Sequence, residues 1–363
     1  MARAYNFSAG PAALPLEVLQ EAQQELVDYK GTGMSVMEMS HRGKDYDAIH
    51  QEAVATFKEL CGLGDEWSVV FIQGGASMQF AMIPMNFLGA GQTADYVNSG
   101  TWGNKALKEA KKVAALRGAS VNIAADCQKD IPTRQPDSFS WTKGAAYAHI
   151  CTNETISGAE MKVIPEVEAP LIGDMSSDIL SCERDYSKFS MFYAGAQKNL
   201  GPSGMAVVAI RSDFAEKGPD SLPTMLQYRT YTKENSLYNT PPTWGIYIFG
   251  ETMKWVKRMG KENLFRLNAE KAKKIYDVID SSDFWTGTAL KEYRSNMNVT
   301  WRIKGGDETL ETKFLAEAKA AGMSSLKGHR SVGGLRASIY NAFPMNGVDA
   351  LVAFMKDFEK KNG

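Results

Sequence analysis

The sequence lacks the features that would mark a membrane, secreted or nucleic-acid-binding protein. No apolar run in its 363 residues approaches the roughly 20 residues that span a bilayer. The formal net charge is −1, which gives no electrostatic attraction to nucleic acid or to an anionic membrane. The opening residues, MARAYNFS, have neither the apolar core nor the cleavage pattern of a signal peptide. We therefore expect a cytoplasmic protein whose partners include neither nucleic acid nor membrane.

Cysteine is also scarce, and its spacing excludes two classes of site. The four cysteines are Cys61, Cys127, Cys151 and Cys182. They are scattered singly, with no CxxC and no paired spacing, which argues against both a zinc site and a disulfide framework. We expect reduced structural thiols and no bound metal.

What the sequence does contain is an alternation of short apolar runs and amphipathic helical runs. The length allows about two domains at ~150 residues each. Strands are predicted at 68–73, 95–100, 145–151, 170–173, 191–194, 205–210, 297–303 and 334–339, and helices at 16–29, 49–60, 104–113, 244–259, 262–279, 310–321 and 348–361, with a further helix from Met78. Strands that alternate with helices indicate an α/β fold with a mainly parallel sheet. A composition change places a boundary near residue 260, giving a large domain (16–260) and a small domain (1–15 and 261–363).

Lys198 lies in a glycine-rich turn between two apolar, strand-like runs, Met191–Ala194 and Met205–Ile210. A lysine held between buried strands loses hydration, so the pKa of its ammonium group falls and the amine becomes nucleophilic. Such an amine can form a Schiff base with a carbonyl compound. The alternative is a solvated surface lysine in a hairpin loop.

Glycines follow the first predicted strand of the alternating pattern, at Gly74-Gly75-Ala76-Ser77. Glycine lets the backbone approach a ligand closely, and the free N–H groups at a helix start attract an anion. No Gly-Lys-Ser/Thr follows, so the segment is not a P-loop. It is either a phosphate cradle or a structural strand-to-helix turn.

Three further polar or aromatic residues, Trp102, Asn153 and Asp174, follow strand ends. Singly, Trp102 is either a core residue or a platform for a flat ring, and Asp174 is either a turn residue or a partly buried functional carboxylate. In a parallel sheet, ligands bind outside the carboxyl ends of the strands, where all these residues would meet Lys198. A helix start for a phosphate, a stacking indole, a carboxylate for a ring nitrogen and an imine-forming lysine together predict a site for pyridoxal phosphate.

Six stretches of the chain also resemble the phosphoserine aminotransferase family, and the resemblance runs nearly from end to end. They are Asn-Phe-Ser-Ala-Gly-Pro (6–11), Ser-His-Arg-Gly (40–43), Asn-Glu-Thr-Ile-Ser-Gly (153–158), Tyr-Ala-Gly-Ala-Gln-Lys-Asn-Leu-Gly-Pro (193–202), Asn-Thr-Pro-Pro-Thr (239–243) and Lys-Gly-His-Arg-Ser-Val-Gly-Gly-Leu-Arg-Ala-Ser-Ile-Tyr-Asn-Ala (327–342). The resemblance implies fold type I of the pyridoxal-phosphate enzymes. That fold has a large domain, with a mainly parallel seven-stranded sheet flanked by helices, and a smaller α/β C-terminal domain. It also implies a homodimer with shared active sites.

The implied reaction is reversible transfer of an amino group from glutamate to 3-phosphohydroxypyruvate, which yields phosphoserine and 2-oxoglutarate in serine biosynthesis. The resemblance also implies activity on the related four-carbon phospho-oxo acid of pyridoxine biosynthesis.

The resemblance assigns roles to fourteen residues and a neighbouring position. Lys198 is the Schiff-base lysine and Asp174 the partner of the pyridine nitrogen. The other cofactor residues are Ala76, Ser77, Trp102, Asn153 and Gln197, with Asn239 and Thr240 reaching the phosphate from the other subunit. The residues for substrate carboxylates and phosphate are His41, Arg42, His329, Arg330 and Arg336. Ala9 lies near the glutamate carboxylate.

The two His-Arg pairs fit substrates that are small dianions, because guanidinium groups bind carboxylate and phosphate in a bidentate manner. Two positions depart from the family pattern: Ala9 and Ser77 stand where some members have serine and arginine. The nearest alternatives are an alanine–glyoxylate-type aminotransferase and a cysteine desulfurase, but no cysteine follows Cys182 to serve a desulfurase. The alternative from another class is a non-catalytic phosphate-binding protein, which would be colourless.

Overall fold

The computed structural model describes residues 3–128 and 133–363. Residues 1–2 of the predicted small domain and 129–132 of the predicted large domain lie outside the described residues. The α-helices are α1 (Leu16–Gln24), α2 (Lys44–Cys61), α3 (Gly75–Phe87), α4 (Thr101–Arg117), α5 (Ser212–Ala215), α6 (Tyr228–Lys233), α7 (Thr243–Met259), α8 (Lys261–Ile279), α9 (Glu308–Ala320) and α10 (Met345–Asn362). The strands are β1 (Tyr5–Asn6), β2 (Trp67–Gln73), β3 (Thr93–Asn98), β4 (Ser120–Asp126), β5 (Ala148–Cys151), β6 (Asn153–Glu154), β7 (Ala159–Glu160), β8 (Leu171–Asp174), β9 (Met191–Gly195), β10 (Met205–Arg211), β11 (Trp285–Gly287), β12 (Asn298–Ile303), β13 (Met323–Ser324) and β14 (Leu335–Ser338).

The predicted α/β architecture with a seven-stranded, mainly parallel sheet is confirmed. Its strand order is β2-β10-β9-β8-β5-β3-β4. Only β10 runs against its neighbours, because the loop 196–204 joins it directly to β9 without a crossover helix. The carboxyl ends of β2, β3, β5, β8 and β9 therefore meet at one edge of the sheet.

Both faces of this sheet are buried under helices. Along β9, Phe192 and Ala194 belong to one apolar core, while Met191 and Tyr193 belong to the other. This alternation follows from the two-residue period of a strand. Because neither face meets water, β9 and β10 read as continuous apolar runs in the sequence, which is why they were predictable.

A second, smaller unit surrounds the three-stranded sheet β11-β12-β14 and has an apolar core of its own. The N-terminal strand β1 pairs with β13 in parallel. This pairing joins the start of the chain to its C-terminal third. It supports the division into residues 16–260 and residues 1–15 with 261–363, which we retain as a proposal.

The clearest differences between prediction and structure are the length of α1 and the presence of β4. Helix α1 ends at Gln24 rather than Tyr29, and it buries Val18 and Ala22. Leu26 and Val27, which the periodicity assigned to its apolar face, are 40% and 79% exposed. Strand β4 was not predicted, because as an edge strand with exposed side chains it lacks an apolar signal.

Within residues 3–128 and 133–363, no helix has the length and apolarity to cross a membrane. The same residues contain no group of three or more histidine, cysteine or acidic side chains arranged to hold a metal ion. All four cysteines lie in the described part of the chain, and no disulfide joins any two of them.

Lys271 on α8 anchors the loop between β14 and α10. Its side chain is 2% exposed, and Nζ lies 2.8–3.4 Å from four backbone carbonyl oxygens of residues 339–343. Lys271→Met keeps the apolar stem but removes every donor. We expect it to lower the free energy of unfolding by about 2–4 kcal/mol, because each buried carbonyl left without a donor costs about 1–3 kcal/mol. Urea denaturation followed by circular dichroism measures the change.

Lys274→Met is the matched control, one turn along the same helix. Lys274 is partly exposed and pairs with Asp349 at 2.7 Å, and a surface pair of this kind contributes little to stability. If both variants shifted the urea midpoint equally, the carbonyl contacts of Lys271 would have no special role.

Candidate active site

The residues predicted at the strand ends do converge on one cavity. This cavity has a volume of about 450 Å³. Its lining residues come from the carboxyl-end loops of the sheet and from the N-terminal segment: Gly10, Pro11, Gly74, Gly75, Ala76, Ser77, Trp102, Cys151, Asn153, Thr155, Asp174, Ser176, Ser177, Gln197, Lys198, Ser203 and Gly204. The seven predicted cofactor residues other than Asn239 and Thr240 are therefore neighbours in space.

Lys198 lies in the turn between β9 and β10 and is only 8% exposed. Its Nζ donates a hydrogen bond to Thr155 Oγ1 at 2.7 Å and lies 5.5 Å from the centre of the Trp102 ring. Burial lowers the pKa of the Lys198 amine, and the charge of Asp174 opposes this effect. The amine is thus held in a polar cavity in conditions that favour its nucleophilic form.

Asp174 ends β8 and is 4% exposed. Its Oδ1 accepts a hydrogen bond from the Ser176 backbone N–H at 2.9 Å. Burial raises the pKa of the Asp174 carboxyl, while hydrogen bonds from Ser176 and the charge of Lys198 act in the opposite direction. A buried carboxylate without a bonded cation is suited to bind a protonated ring nitrogen.

The first turn of α3 lies at the cavity and carries no cap. Gly74 and Gly75 have φ values of 94° and 62°, in the left-handed region that glycine tolerates best. No side chain caps this helix, and its first turn has no acidic residue. Its N–H groups are therefore available to an anion such as a phosphate.

The neighbouring helix α4 is different, because a buried carboxylate already caps it. Glu154 accepts hydrogen bonds from the backbone N–H groups of Trp102 (3.0 Å) and Gly103 (2.9 Å) and from Ser99 Oγ (3.1 Å). Burial raises the pKa of Glu154, and these donors oppose the rise. The sequence predicted no role for Glu154, although it stands within the quoted motif 153–158.

Two polar atoms of cavity residues are buried and have no hydrogen-bond partner among the described residues: Trp102 Nε1 and Asn153 Oδ1. The amide nitrogen of Asn153 is satisfied, since it donates to Ser177 Oγ and to Asn298 Oδ1, both at 2.8 Å. Buried polar atoms are normally paired, so these two point to a missing ligand. Together with the uncapped α3, the amine and the carboxylate, they fit pyridoxal phosphate.

A cluster of cationic groups stands beside the cavity, and we call it the cationic rim. It consists of Lys105, His329, Arg330 and Arg336. Arg336 Nη1 donates to the carbonyl oxygen of Thr155 at 3.4 Å. Partial burial lowers the pKa of His329, and the charges of the other three groups lower it further. No carboxylate in the described residues forms a salt bridge with Arg336, so this rim can accept an anionic substrate.

Ala9 and Gln197 flank the lysine loop. The carbonyl oxygen of Ala9 accepts a hydrogen bond from the Tyr340 hydroxyl at 2.8 Å, and the carbonyl of Gln197 accepts one from the Ala12 N–H at 2.8 Å. The N-terminal segment is thereby fixed against the cavity from two sides.

Eight of the fifteen predicted residues do not line this cavity. Ala9, His329, Arg330 and Arg336 stand beside it, whereas no hydrogen bond among the described residues joins it to His41, Arg42, Asn239 or Thr240. Arg42, Asn239 and Thr240 are exposed. His41 is half-buried, and its Nε2 has no partner among the described residues. A single chain therefore brings seven of the nine predicted cofactor residues together, and His41, Arg42, Asn239 and Thr240 lie elsewhere.

Sequence and structure comparisons decide the family. The model of the class-V aminotransferases matches residues 4–351. A phosphoserine aminotransferase of Niallia circulans is 53% identical over 364 residues, which is 99% of each chain. The structure of phosphoserine aminotransferase from Bacillus circulans subsp. alkalophilus superposes with a TM-score of 0.94 at 52% identity, covering 99% of both chains. The chain belongs to the phosphoserine aminotransferase family.

A cofactor-bound member of the phosphoserine aminotransferase family is also similar to this chain. The pyridoxal-phosphate-bound enzyme from Trichomonas vaginalis superposes with a TM-score of 0.93 at 43% identity, covering 98% of this chain and 100% of the other. This chain is accordingly a pyridoxal-phosphate-dependent aminotransferase of the fold type I class, as the sequence predicted.

Proposed function

We propose that the protein catalyses reversible amino transfer between L-glutamate and 3-phosphohydroxypyruvate, giving 2-oxoglutarate and O-phospho-L-serine for serine biosynthesis. The observation that carries this proposal is the placement of the cationic rim beside a cavity that holds a buried lysine and a buried carboxylate. Both amino donors carry two acidic groups, an α-carboxylate and a distal carboxylate or phosphate, so a rim of lysine, histidine and arginine matches them. The reducing state implied by four cysteines without disulfides supports a cytoplasmic location.

In this proposal the cofactor phosphate binds at the uncapped first turn of α3, on the N–H groups around Ala76 and Ser77. Trp102 would cover one face of the ring, Asn153 and Gln197 would border it, and Asp174 would accept a hydrogen bond from the protonated ring nitrogen. When bound, pyridoxal phosphate supplies an electron sink for the carbanion at the substrate α-carbon.

Lys198 acts as nucleophile and as general base and acid. Its buried amine would hold the cofactor until the incoming amino acid displaces it. The freed Nζ would then take the proton from the α-carbon of glutamate and deliver it to the cofactor carbon that keeps the amino group when water releases 2-oxoglutarate. After 2-oxoglutarate leaves, the phosphorylated keto acid binds in the same place, and Lys198 moves a proton in the opposite sense. The two half-reactions share one set of residues, so the kinetics are of the ping-pong type.

Arg336 is proposed to bind the substrate α-carboxylate, and His329 with Arg330 to bind the distal phosphate. Ala9 and Ser77 each lack a hydrogen-bond donor that some members have at these positions, where serine and arginine stand instead. We propose that the related four-carbon acid, 3-hydroxy-2-oxo-4-phosphooxybutanoate, is a second substrate, since it has the same two anionic ends.

We further propose a homodimer in which active sites are shared. Arg42, His41, Asn239 and Thr240 lie away from their own cavity. Exposed apolar side chains flank them in the chain, with Met37 and Tyr238 55% and 50% exposed. Association through this surface would bury those side chains and would bring cationic groups to the cavity of the other subunit.

The proposal is tested by the visible spectrum of the purified holoenzyme during addition of phosphoserine, glutamate or alanine, each alone. We expect a yellow protein whose absorbance is lost with phosphoserine and with glutamate and is retained with alanine. Loss with glutamate alone would reject phosphoserine as the substrate. Loss with alanine but not with phosphoserine would favour the alanine–glyoxylate type. A colourless protein that takes up no pyridoxal phosphate would reject the whole assignment.

A further inference from the structure

Three polar side chains from neighbouring strands stand on one face of the central sheet. Asp174 on β8 is the register partner of both Tyr193 on β9 and Cys151 on β5. His149 precedes Cys151 by two residues, so it lies on the same face as Asp174 and Tyr193. The exposed fractions of Asp174, Tyr193 and His149 are 4%, 0% and 1%. All three are therefore shielded from water, and only Asp174 lines the cavity.

These side chains form a polar row that leads away from the cavity. The Tyr193 hydroxyl and His149 Nε2 are 2.9 Å apart. Tyr193 stands opposite Asp174 in the parallel register of β8 and β9, and its hydroxyl lowers the pKa of the Asp174 carboxyl against the larger effect of burial. An ionised carboxylate only accepts hydrogen bonds, so the Tyr193 hydroxyl can interact with it only as a donor.

The direction of the bond between Tyr193 and His149 follows from the histidine ring. A proton on Nε2 is donated to the tyrosine oxygen, whereas a proton on Nδ1 would have no acceptor among the described residues. The other ring nitrogen, Nδ1, is buried and has no partner among the described residues. Burial also lowers the pKa of His149 to about 3, so the ring is neutral and carries one N–H, at Nε2. Every proton in the row therefore points toward Asp174.

Packing alone does not account for these polar groups. Tyr96 stacks on His149 with ring centres 5.0 Å apart, and Phe80 packs edge-on against Tyr193 at 6.4 Å. The surrounding core is mostly apolar, and phenylalanine would fill either position. A buried polar group is unfavourable unless it is paired, and here the pairing ends on one carboxylate at the cavity wall.

We infer that Tyr193 and His149 are positioning residues that hold the Asp174 carboxylate ionised and oriented for the cofactor's ring nitrogen. This inference rests on the proposed function, which makes Asp174 the partner of that nitrogen. Neither residue contacts the substrate site. They act through Asp174, by supplying donors that stabilise its charged form in a place where burial disfavours charge.

The test is the ¹⁵N NMR resonance of the ring nitrogen in holoenzyme loaded with ¹⁵N-labelled pyridoxal phosphate, because its chemical shift reports protonation directly. In Tyr193→Phe we expect the resonance to move from the protonated toward the unprotonated position. We also expect the cofactor dissociation constant to rise about 10- to 100-fold, the range for one hydrogen bond to a charged group. Tyr147→Phe is the matched control, since its buried hydroxyl pairs with Tyr96 at 2.8 Å. That variant should leave the resonance unchanged.

Two further variants separate the possible failures. His149→Phe keeps the stacking on Tyr96 but removes the N–H, so it should move the resonance in the same direction by a smaller amount. If Tyr193→Phe does not fold, the resonance of His149→Phe tests the positioning role by itself. An Asp174→Asn resonance that equals the wild-type one would reject Asp174 as the nitrogen's partner, and with it that part of the proposed function. If Asp174→Asn moves the resonance but Tyr193→Phe and His149→Phe do not, the positioning role is overturned.

Discussion

Replacing Lys198 with alanine should lower the turnover number at least about a thousand-fold, because the variant loses both the nucleophile and the proton carrier. The cavity around it should persist, since alanine leaves the turn and the Thr155 hydroxyl in place. Steady-state rates with glutamate and 3-phosphohydroxypyruvate, measured with cofactor in excess, give the size of the loss.

Two controls separate chemistry from misfolding in this variant. Lys112→Ala removes an exposed lysine that pairs with Glu109 on α4, and it should retain full activity. A small primary amine added to Lys198→Ala should restore part of the rate, because it can carry the proton in place of Nζ. Wild-type turnover in Lys198→Ala would end the assignment of this residue.

Asp174→Asn should lower the turnover number by at least about a hundred-fold, the usual consequence of removing one preorganised electrostatic group. The KM for glutamate should change little, because Asp174 is proposed to contact the cofactor and not the substrate. Without the carboxylate the ring nitrogen loses its proton, and the cofactor withdraws electrons less strongly. Stopped-flow measurement of each half-reaction separates this effect from cofactor loss.

Although Asp174→Asn should lower the turnover number, it should not lower the stability of the apoprotein. Burial raises the pKa of Asp174 above its unfolded value, so between those two values the folded state binds more protons than the unfolded state. Stability therefore falls as the pH rises through that window and stays reduced above it. Asp174→Asn removes the group, and its apoprotein should be at least as stable as wild type at pH 7 in thermal melts. A clear loss of apoprotein stability would mean that the carboxylate serves the fold rather than the reaction.

The central sheet was predictable because its strands are buried on both faces and leave uninterrupted apolar runs, as in β9 and β10. The same argument failed at β4, whose exposed edge position gives no apolar pattern, and at α1, where Leu26 and Val27 are apolar but exposed. Local sequence cannot show which apolar side chains will find a partner. Burial is a property of the assembled layers.

In the candidate site, too, some residues were predictable from the sequence and others were not. Lys198, Asp174 and the glycines at Gly74 were predictable because each directly follows a strand, and strand ends of one sheet must meet. Glu154 and Thr155 were not, because their partners Trp102 and Lys198 lie about 50 residues before or after them. The Asp174–Tyr193–His149 row also escaped notice, since tyrosine and histidine within apolar strands resemble ordinary core residues.

Of the two helix starts that face the cavity, only one is open to a ligand. The protein's own Glu154 neutralises the positive end of α4, while that of α3 carries no counter-charge. Of these two helix starts, only that of α3 can therefore bind the phosphate of an incoming molecule. The buried Glu154 carboxylate would thus fix the orientation of the bound ring, because the phosphate can occupy only the α3 side. Reversed binding would place the phosphate against Glu154, an anion that the chain itself provides.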